Sequence, residues 1–450
     1  MADRPEATSE ALPEADPPRF DYGDFSFASK AEVLEKSKEF WNPDKTQFWV
    51  DAGIPLVIDR REEYFIYDMS GKRLIDVHLN GGTYSLGHRN SEVVQAVTLA
   101  MQHFDVGNHH FPSLARTALA EALVSSGPPG MSKVVYGSGG GEAIDIALKT
   151  ARHATQKRKI VSIVKAYHGH TGLAVQTGDD RFSKLFLADH PEEFPHVPFN
   201  DLDAMERELR GRDVAAVIME TIPATYGFPL PDPGYLEAVK ALCERYDALY
   251  VADEVQTGLM RTGELWAITK HGISPDIMVT GKGIGGGMYP IACVLVNERA
   301  AGWLNEDGFG HISTFGGAEL GCIAALKALE ICSRLETRSM VHYISDYIGR
   351  RLREIQAEYP DWLVGIRQNG VVIGLEFAHP QGAKYVMRHL YDNGVWAIFS
   401  TLDPRVLQYK PGLLLKPELA EELLDRTEVA IGKAAREVRG TDRARRRVSA

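Results

Sequence analysis

Cysteine is scarce in this sequence: Cys243, Cys293, Cys322 and Cys332 are the four in 450 residues, with no CxxC pair and no zinc-like spacing. A disulfide framework is excluded, and thiols set in apolar segments read as buried and reduced. No stretch approaches the ~18 consecutive apolar residues of a membrane span. The opening MADRPEATSEALPEAD lacks the basic start and apolar core of a secretory signal. The expectation is a cytoplasmic protein that engages no membrane. Positive charge is also in deficit, since 50 Lys+Arg against 61 Asp+Glu leave a formal charge of −11. A broad nucleic-acid footprint is therefore not expected. The one basic run, Arg436, Arg439, Arg443, Arg445, Arg446 and Arg447, has no interleaved aromatic residues and reads as a solvated terminus.

What is present is ordinary globular composition, 44% hydrophobic, 25% charged and 9% aromatic. At ~150 residues per domain the length allows about three units, or one large and one small domain folded together. Residues 1–20, rich in Pro, Glu and Ala, cannot repay the entropy of ordering alone and read as a mobile tail or an arm held by a partner. Beyond them, short β-rich runs alternate with helical patterns, the mark of a parallel α/β sheet. Strands are expected at 133–136, 159–164, 214–220, 248–253 and 277–280, several of them apolar on both faces. Over 340–359, Val341, Ile344, Ile348, Leu352 and Ile355 share one helical face and open a different unit. Strands at 370–377 and 395–399 then suggest a compact α+β C-terminal domain.

Three features carry chemistry. KVVYGSGGGEAIDIALKTAR is a strand, a glycine loop and a helix, and such a turn offers backbone N–H groups and a positive dipole end to a phosphate. It is neither a Walker loop nor a dinucleotide GxGxxG, and a tight turn packing helix on strand is an equal reading. ALYVADEVQTG ends an apolar strand with Asp253 and Glu254, acids that face a ligand at a strand's carboxyl end or else serve as a helix cap or surface carboxylate. DIMVTGKGIGGG puts Lys282 at the same kind of edge, where a lone lysine is usually solvated. Together the three match what pyridoxal phosphate needs: a Schiff-base lysine, an acid for the pyridine nitrogen and a phosphate anchor. His168 and His170 would suggest a metal only with further ligands, and none accompany them.

From about residue 50 to 435 the chain resembles the class III pyridoxal-phosphate aminotransferases, through LIDVHLNGGTYSLGHRN, GGGEAIDIALKTAR, AYHGHT, DEVQTGLMRTG, PDIMVTGKGIGGG and STFGG in the family's order. The resemblance implies an α/β fold type I enzyme, with a mostly parallel sheet in a large domain at 75–340 and a smaller α+β domain assembled from 21–74 and 341–450. It implies a homodimer with shared active sites. On this sequence Lys282 would form the Schiff base and move the proton, and Asp253 would pair with the pyridinium nitrogen. Tyr167 and Val255 would flank the ring, Gln256 would lie near its hydroxyl, and Glu220 would belong to the cofactor site. Gly139, Gly140 and Gly141 would cradle the phosphate, with Thr314 donated by the second subunit.

Three departures from the family pattern bear on substrate. Gly139 stands where Ser or Thr is common. The family run Glu-Pro-Val-Gln-Gly-Glu reads ETIPAT, so its Gln falls on Pro223 and its gating glutamate on Thr225, which puts glutamate as donor in doubt. The arginine that clamps the substrate carboxylate is Gln408, in QYKPGL, with Arg405 and Lys410 the nearest cations in sequence. A neutral amide replaces neither the charge nor the fork of a guanidinium. Trp41, Phe48, Trp49 and Tyr84 would line an apolar substrate pocket or pack the small domain. The expected activity is transfer of an amino group from an amine or ω-amino or amino acid donor to a 2-oxo acid such as pyruvate, through a pyridoxamine phosphate form. A lyase, decarboxylase or epimerase on the same fold is the alternative.

Overall fold

The computed structural model describes residues 27–448, with side chains through 440. The N-terminal segment 1–20 and the side chains of Arg443 and Arg445–Arg447 lie outside the described residues. The chain divides between Val57 and Ile58 into two compact units. In the first, the helix Lys30–Phe40 starts where Ser29 Oγ accepts from the Glu32 N–H, and the helix Pro43–Asp51 starts at Asn42 with proline in its first turn. Both are sequence-encoded N-caps, each supplying an acceptor to a backbone donor that has none inside the helix. Trp49 lies on the second helix, its ring edge-on to Phe48 at 5.0 Å.

In the second unit, strands β1 (Ile58–Glu62), β2 (Phe65–Asp68) and β3 (Arg73–Asp76) form an antiparallel ribbon. The next seven are β4 (Met131–Gly137), β5 (Lys159–Ile163), β6 (His196–Val197), β7 (Val214–Glu220), β8 (Leu249–Asp253), β9 (Ile277–Thr280) and β10 (Ala292–Asn297). They make one sheet in the order β4-β10-β9-β8-β7-β5-β6, parallel except where β10 runs against both its neighbours. Every residue of β7, β8 and β9 is buried, as expected of strands covered on both faces. The helix Gly140–Thr155 packs Ile144, Ala147 and Ala151 into one core with Ile218, Val251, Val279 and Val294. Burying each of the larger of these side chains contributes about 1.5–3 kcal/mol. All four cysteines are buried and unpaired.

The helix Leu335–Glu358 buries Val341, Ile344, Ile348, Leu352 and Ile355, the face that its spacing foretells. Beyond it the structure corrects two strand expectations. The 370–377 segment is the second arm of a hairpin, β11 (Leu363–Asn369) and β12 (Val372–Phe377), and Gly370 turns between them at φ 63°. The 395–399 segment is two short strands serving two sheets. β13 (Val395–Trp396) extends the N-terminal ribbon by pairing parallel with β3, while β14 (Ile398–Ser400) pairs with β15 (Asp403–Tyr409) beside β12.

Candidate active site

Strand register builds the site. Glu220, Asp253 and Val279 are cross-strand neighbours on β7, β8 and β9, so the carboxyl ends of three adjacent parallel strands coincide. That edge is where open α/β sheets bind ligands. Lys282 follows three residues after Val279, in the left-handed region at φ 46°. For a side chain with a Cβ this conformation costs about 1–2 kcal/mol, strain of a kind that concentrates at functional sites. Its aliphatic chain runs past the 79–82 turn, where a Cβ on Gly81 would stand 3.0 Å from Lys282 Cε.

Two adjacent acids, Asp253 and Glu254, have different fates because successive strand residues point to opposite faces. Glu254 is a buried staple, accepting from Thr221 Oγ1 at 2.6 Å, Thr257 Oγ1 at 2.9 Å and the Ala267 and Ile268 N–H groups at 3.0 and 2.8 Å. Asp253 faces the site. Its Oδ2 lies 2.7 Å from His168 Nδ1, and its Oδ1 accepts the Val255 N–H at 3.0 Å. His168 is itself buried, and its Nε2 has no hydrogen-bond partner among the described residues. Glu220 accepts the Tyr167 N–H at 3.2 Å and the Ala224 N–H at 3.1 Å. Burial pushes the Glu220 carboxyl up to about 7, with nearby His168 opposing. Burial lowers the Lys282 amine, partly offset by Asp253 and Glu220 and reinforced by the Arg261 charge. The result is a lysine that holds its proton less tightly than in water, beside a carboxylate fixed by an imidazole.

The glycine loop closes the other side. Gly139 is the N-cap of Gly140–Thr155 with no side-chain cap bond, leaving the N–H groups of the first turn free to meet an anion at a positive helix end. Glu142 turns back to accept from the Ser138 N–H and Oγ at 2.7 and 2.6 Å. A Cβ on Gly169, which sits at φ 113°, would stand 2.7 Å from Gly141 Cα. The AYHGHT turn therefore packs backbone to backbone on the cradle. Val255 stands between cradle and lysine, its Cγ1 3.3 Å from where a Cβ would lie on either Gly140 or Gly281. The half-buried Tyr167 ring meets His170 and Phe182 edge-on at 5.3 and 5.8 Å. Gln256 Nε2 is buried without a partner among the described residues.

The structure thus brings together Gly139, Gly140, Gly141, Tyr167, Glu220, Asp253, Val255, Gln256 and Lys282. Of the other candidates, some are exposed or already engaged and one lies outside this unit. Thr314 is exposed, beside the exposed Phe309, Ile312 and Phe315. Trp49 belongs to the other compact unit. Tyr84 packs on Gly287, beyond the lysine, with its ring 4.2 Å from His88. Arg405 is an exposed side chain held by Asp403 at 2.9 Å and Glu376 at 3.0 Å. Gln408 is buried, donating Nε2 to Ala224 O at 3.2 Å and accepting from Lys410 Nζ. Thr225 Oγ1 donates to Lys165 O at 3.3 Å. Sequence reasoning weighs His168 only as a metal ligand, and no metal-binding cluster occurs among the described residues. Its carboxylate partner lies 85 residues away in the chain, and only the fold reveals it.

Residues 49–431 match the class III aminotransferase family. A protein of Archaeoglobus fulgidus, named as an uncharacterized aminotransferase, is 40% identical over 405 residues, covering 89% of this chain and 95% of its own. The chain belongs to the class III aminotransferase family. Its fold is similar to that of ornithine aminotransferase from Toxoplasma gondii, at 23% identity and TM-score 0.84 over 92% of this chain and 98% of the other. A second structure of the Toxoplasma enzyme, crystallized with oxidized glutathione, has pyridoxal phosphate at partial occupancy in its active site, at 23% identity and TM-score 0.79 over 92% and 99% of the two chains. Class III aminotransferases use pyridoxal phosphate. This aminotransferase has a donor set that fits it: a desolvated lysine, a buried carboxylate fixed by His168, a helix N-terminus without a side-chain cap and a buried Gln256 Nε2 without a partner among the described residues.

Proposed function

We propose that this aminotransferase moves an amino group from an amine, ω-amino or amino acid donor to a 2-oxo acid such as pyruvate, with Lys282 and Asp253 as its catalytic residues. The observation that carries the reading is the strand register that aligns Glu220, Asp253 and the approach to Lys282 at one sheet edge. Pyridoxal phosphate, when bound, supplies an electrophilic carbon and an electron sink. Lys282 Nζ is the covalent attachment point, and its amine takes a proton from the donor carbon and returns it. Burial lowers its basicity, which favours the unprotonated amine. Asp253 would pair with the pyridine nitrogen, and His168 orients that carboxylate at 2.7 Å. Tyr167 and Val255 bound the two ring faces, Gln256 serves the ring hydroxyl, and Glu220 fixes the Tyr167 backbone. Gly139, Gly140 and Gly141 receive the phosphate at the helix N-terminus.

The proposed assembly is a homodimer in which Thr314 of each subunit reaches the other's phosphate. Phe309, Ile312 and Phe315, 66%, 53% and 57% exposed in the single chain, support burial of that loop by a second copy. Thr225 and Gln408 in place of the family's glutamate and arginine favour pyruvate as acceptor over 2-oxoglutarate. The test is a donor panel with pyruvate or 2-oxoglutarate as acceptor, read as alanine or glutamate formed. Alanine from at least one donor supports the reading. Ammonia released with a keto product and no new amino acid would replace it with a lyase, CO2 released with an amine with a decarboxylase, and inversion of the donor alone with an epimerase.

A further inference from the structure

Among the described residues two histidine–carboxylate pairs are buried. One, His168 with Asp253, stands on the acid side of the site. The other sets His88 Nε2 at 2.9 Å from Asp76 Oδ2, with the two residues 2% and 3% exposed. His88 Nδ1 is buried without a partner among the described residues, so the ring proton belongs on Nε2, facing the carboxylate. No catalytic role reaches this second pair, yet its bonds lead to Lys282.

Asp76 ends β3, and its other oxygen, Oδ1, accepts the His78 and Leu79 N–H groups at 2.9 and 2.8 Å. Those bonds open a turn in which Leu79, Asn80, Gly81 and Gly82 are all left-handed, at φ 49°, 48°, 70° and 98°. The first two carry a Cβ, which disfavours that region, so the turn persists only where its surroundings hold it. Asp76 holds its entrance. His88 fixes Asp76 from a segment whose own backbone is tied to Glu63 by paired N–H···O bonds. On its other side the turn lies against the lysine. A Cβ on Gly81 would stand 3.0 Å from Lys282 Cε and 3.3 Å from Gln256 Oε1, and one on Gly283 would stand 3.2 Å from Gly82 O. The turn's backbone thus packs along the end of the lysine chain and leaves little room for a side chain between them.

We infer that the Asp76–His88 pair is a positioning device for Lys282: by holding the left-handed turn 79–82, it fixes where the lysine amine is presented to the cofactor. The inference rests on Lys282 being the residue of cofactor attachment. A misplacement of about 1 Å in a reacting group costs on the order of 100-fold in rate. The test separates attachment from binding. Apoprotein is mixed with excess pyridoxal phosphate, and the limiting rate at which the visible band appears is followed. The dissociation constant of pyridoxamine phosphate, whose amine cannot condense with the lysine, is measured in parallel by fluorescence titration. His88→Leu removes the bond to Asp76, and His88→Gln retains a donor at equivalent reach. Attachment should be ~10- to 100-fold slower in His88→Leu and near wild type in His88→Gln, with pyridoxamine phosphate binding unchanged in both. Unchanged attachment in His88→Leu, or equal losses in attachment and in pyridoxamine phosphate binding, would overturn the inference and leave the Lys282 reading in place. A wild-type protein that binds pyridoxamine phosphate but forms no band with pyridoxal phosphate would overturn the Lys282 reading, and the inference with it. Should His88→Leu not fold, two left-handed glycines take its place. Gly81→Ala, at φ 70°, meets Lys282, while Gly71→Ala, at φ 83°, has no atom within 4 Å. Slower attachment in Gly81→Ala alone supports the coupling of turn to lysine, and equal rates in the two would overturn it.

Discussion

His168 Nδ1 lies 2.7 Å from Asp253 Oδ2, and both side chains are buried. A buried carboxylate needs fixed donors in place of the solvent. His168 and the Val255 N–H are those donors. Replacing His168 with Phe leaves the acid short of a bond and should lower kcat by 5- to 150-fold, the roughly 1–3 kcal/mol of a lost buried partner. Asp253→Asn should cost more, because it removes the charge itself. Steady-state rates on cofactor-saturated protein would separate the two, and an unimpaired Asp253→Asn enzyme would contradict the proposed role.

Glu220 carries a pH dependence. Its carboxyl titrates near 4.5 when unfolded and about 7 when folded, raised by burial. The neutral acid therefore stabilises the folded chain fully below pH 4.5. That contribution is lost as pH rises through about 7. At ~1.4 kcal/mol per unit the change is on the order of 3 kcal/mol. Denaturant melts of cofactor-free protein at pH 5 and 8 should show this loss in wild type and much less of it in Glu220→Gln. Parallel curves for the two proteins would remove Glu220 as the cause.

The cradle predicts opposite outcomes at two glycines. A Cβ on Gly139 meets no atom within 4 Å, so Gly139→Ser fits, strengthens the helix cap by only about 0.3 kcal/mol and adds a hydroxyl for the phosphate. Cofactor dissociation should tighten by roughly tenfold, the worth of one hydrogen bond to a charged group. Gly169→Ala places a methyl 2.7 Å from Gly141 Cα in a left-handed residue and should loosen the cofactor and lower the melting temperature.

Thr314 gives a test of shared sites. Thr314→Asp would set a negative charge against the phosphate, and Lys282→Ala removes the amine. If each site uses Thr314 of the other subunit, mixing the two variants should restore activity, since one site of the hybrid dimer has both residues intact. No recovery on mixing, with hybrid dimers demonstrated, would place Thr314 outside the partner's site.

Local pattern made the chemistry legible in the sequence. The apolar runs of β8 and β9 end near polar residues, so Asp253 and Lys282 could be assigned to one sheet edge before any coordinates. The face of Leu335–Glu358 was equally plain from its helical period. Pairings between distant segments were hidden. β13 is two residues long and exists because β3, over 300 positions earlier, offers it an edge. The link from His168 to Asp253 spans 85 residues, and no spacing rule encodes it. Lys410 was visible as a cation near Gln408, but its complete burial depends on the packing of β15 against the 220–228 segment.

The central claim is that Lys282 and Asp253 operate a reversible nitrogen transfer, and visible absorption of the purified holoenzyme tests it most directly. Adding an amino donor without acceptor should bleach the band of the lysine-bound cofactor within one turnover, and pyruvate should then restore it. A donor consumed over many turnovers while the band persists, or a protein that shows no band with added pyridoxal phosphate, would contradict the account.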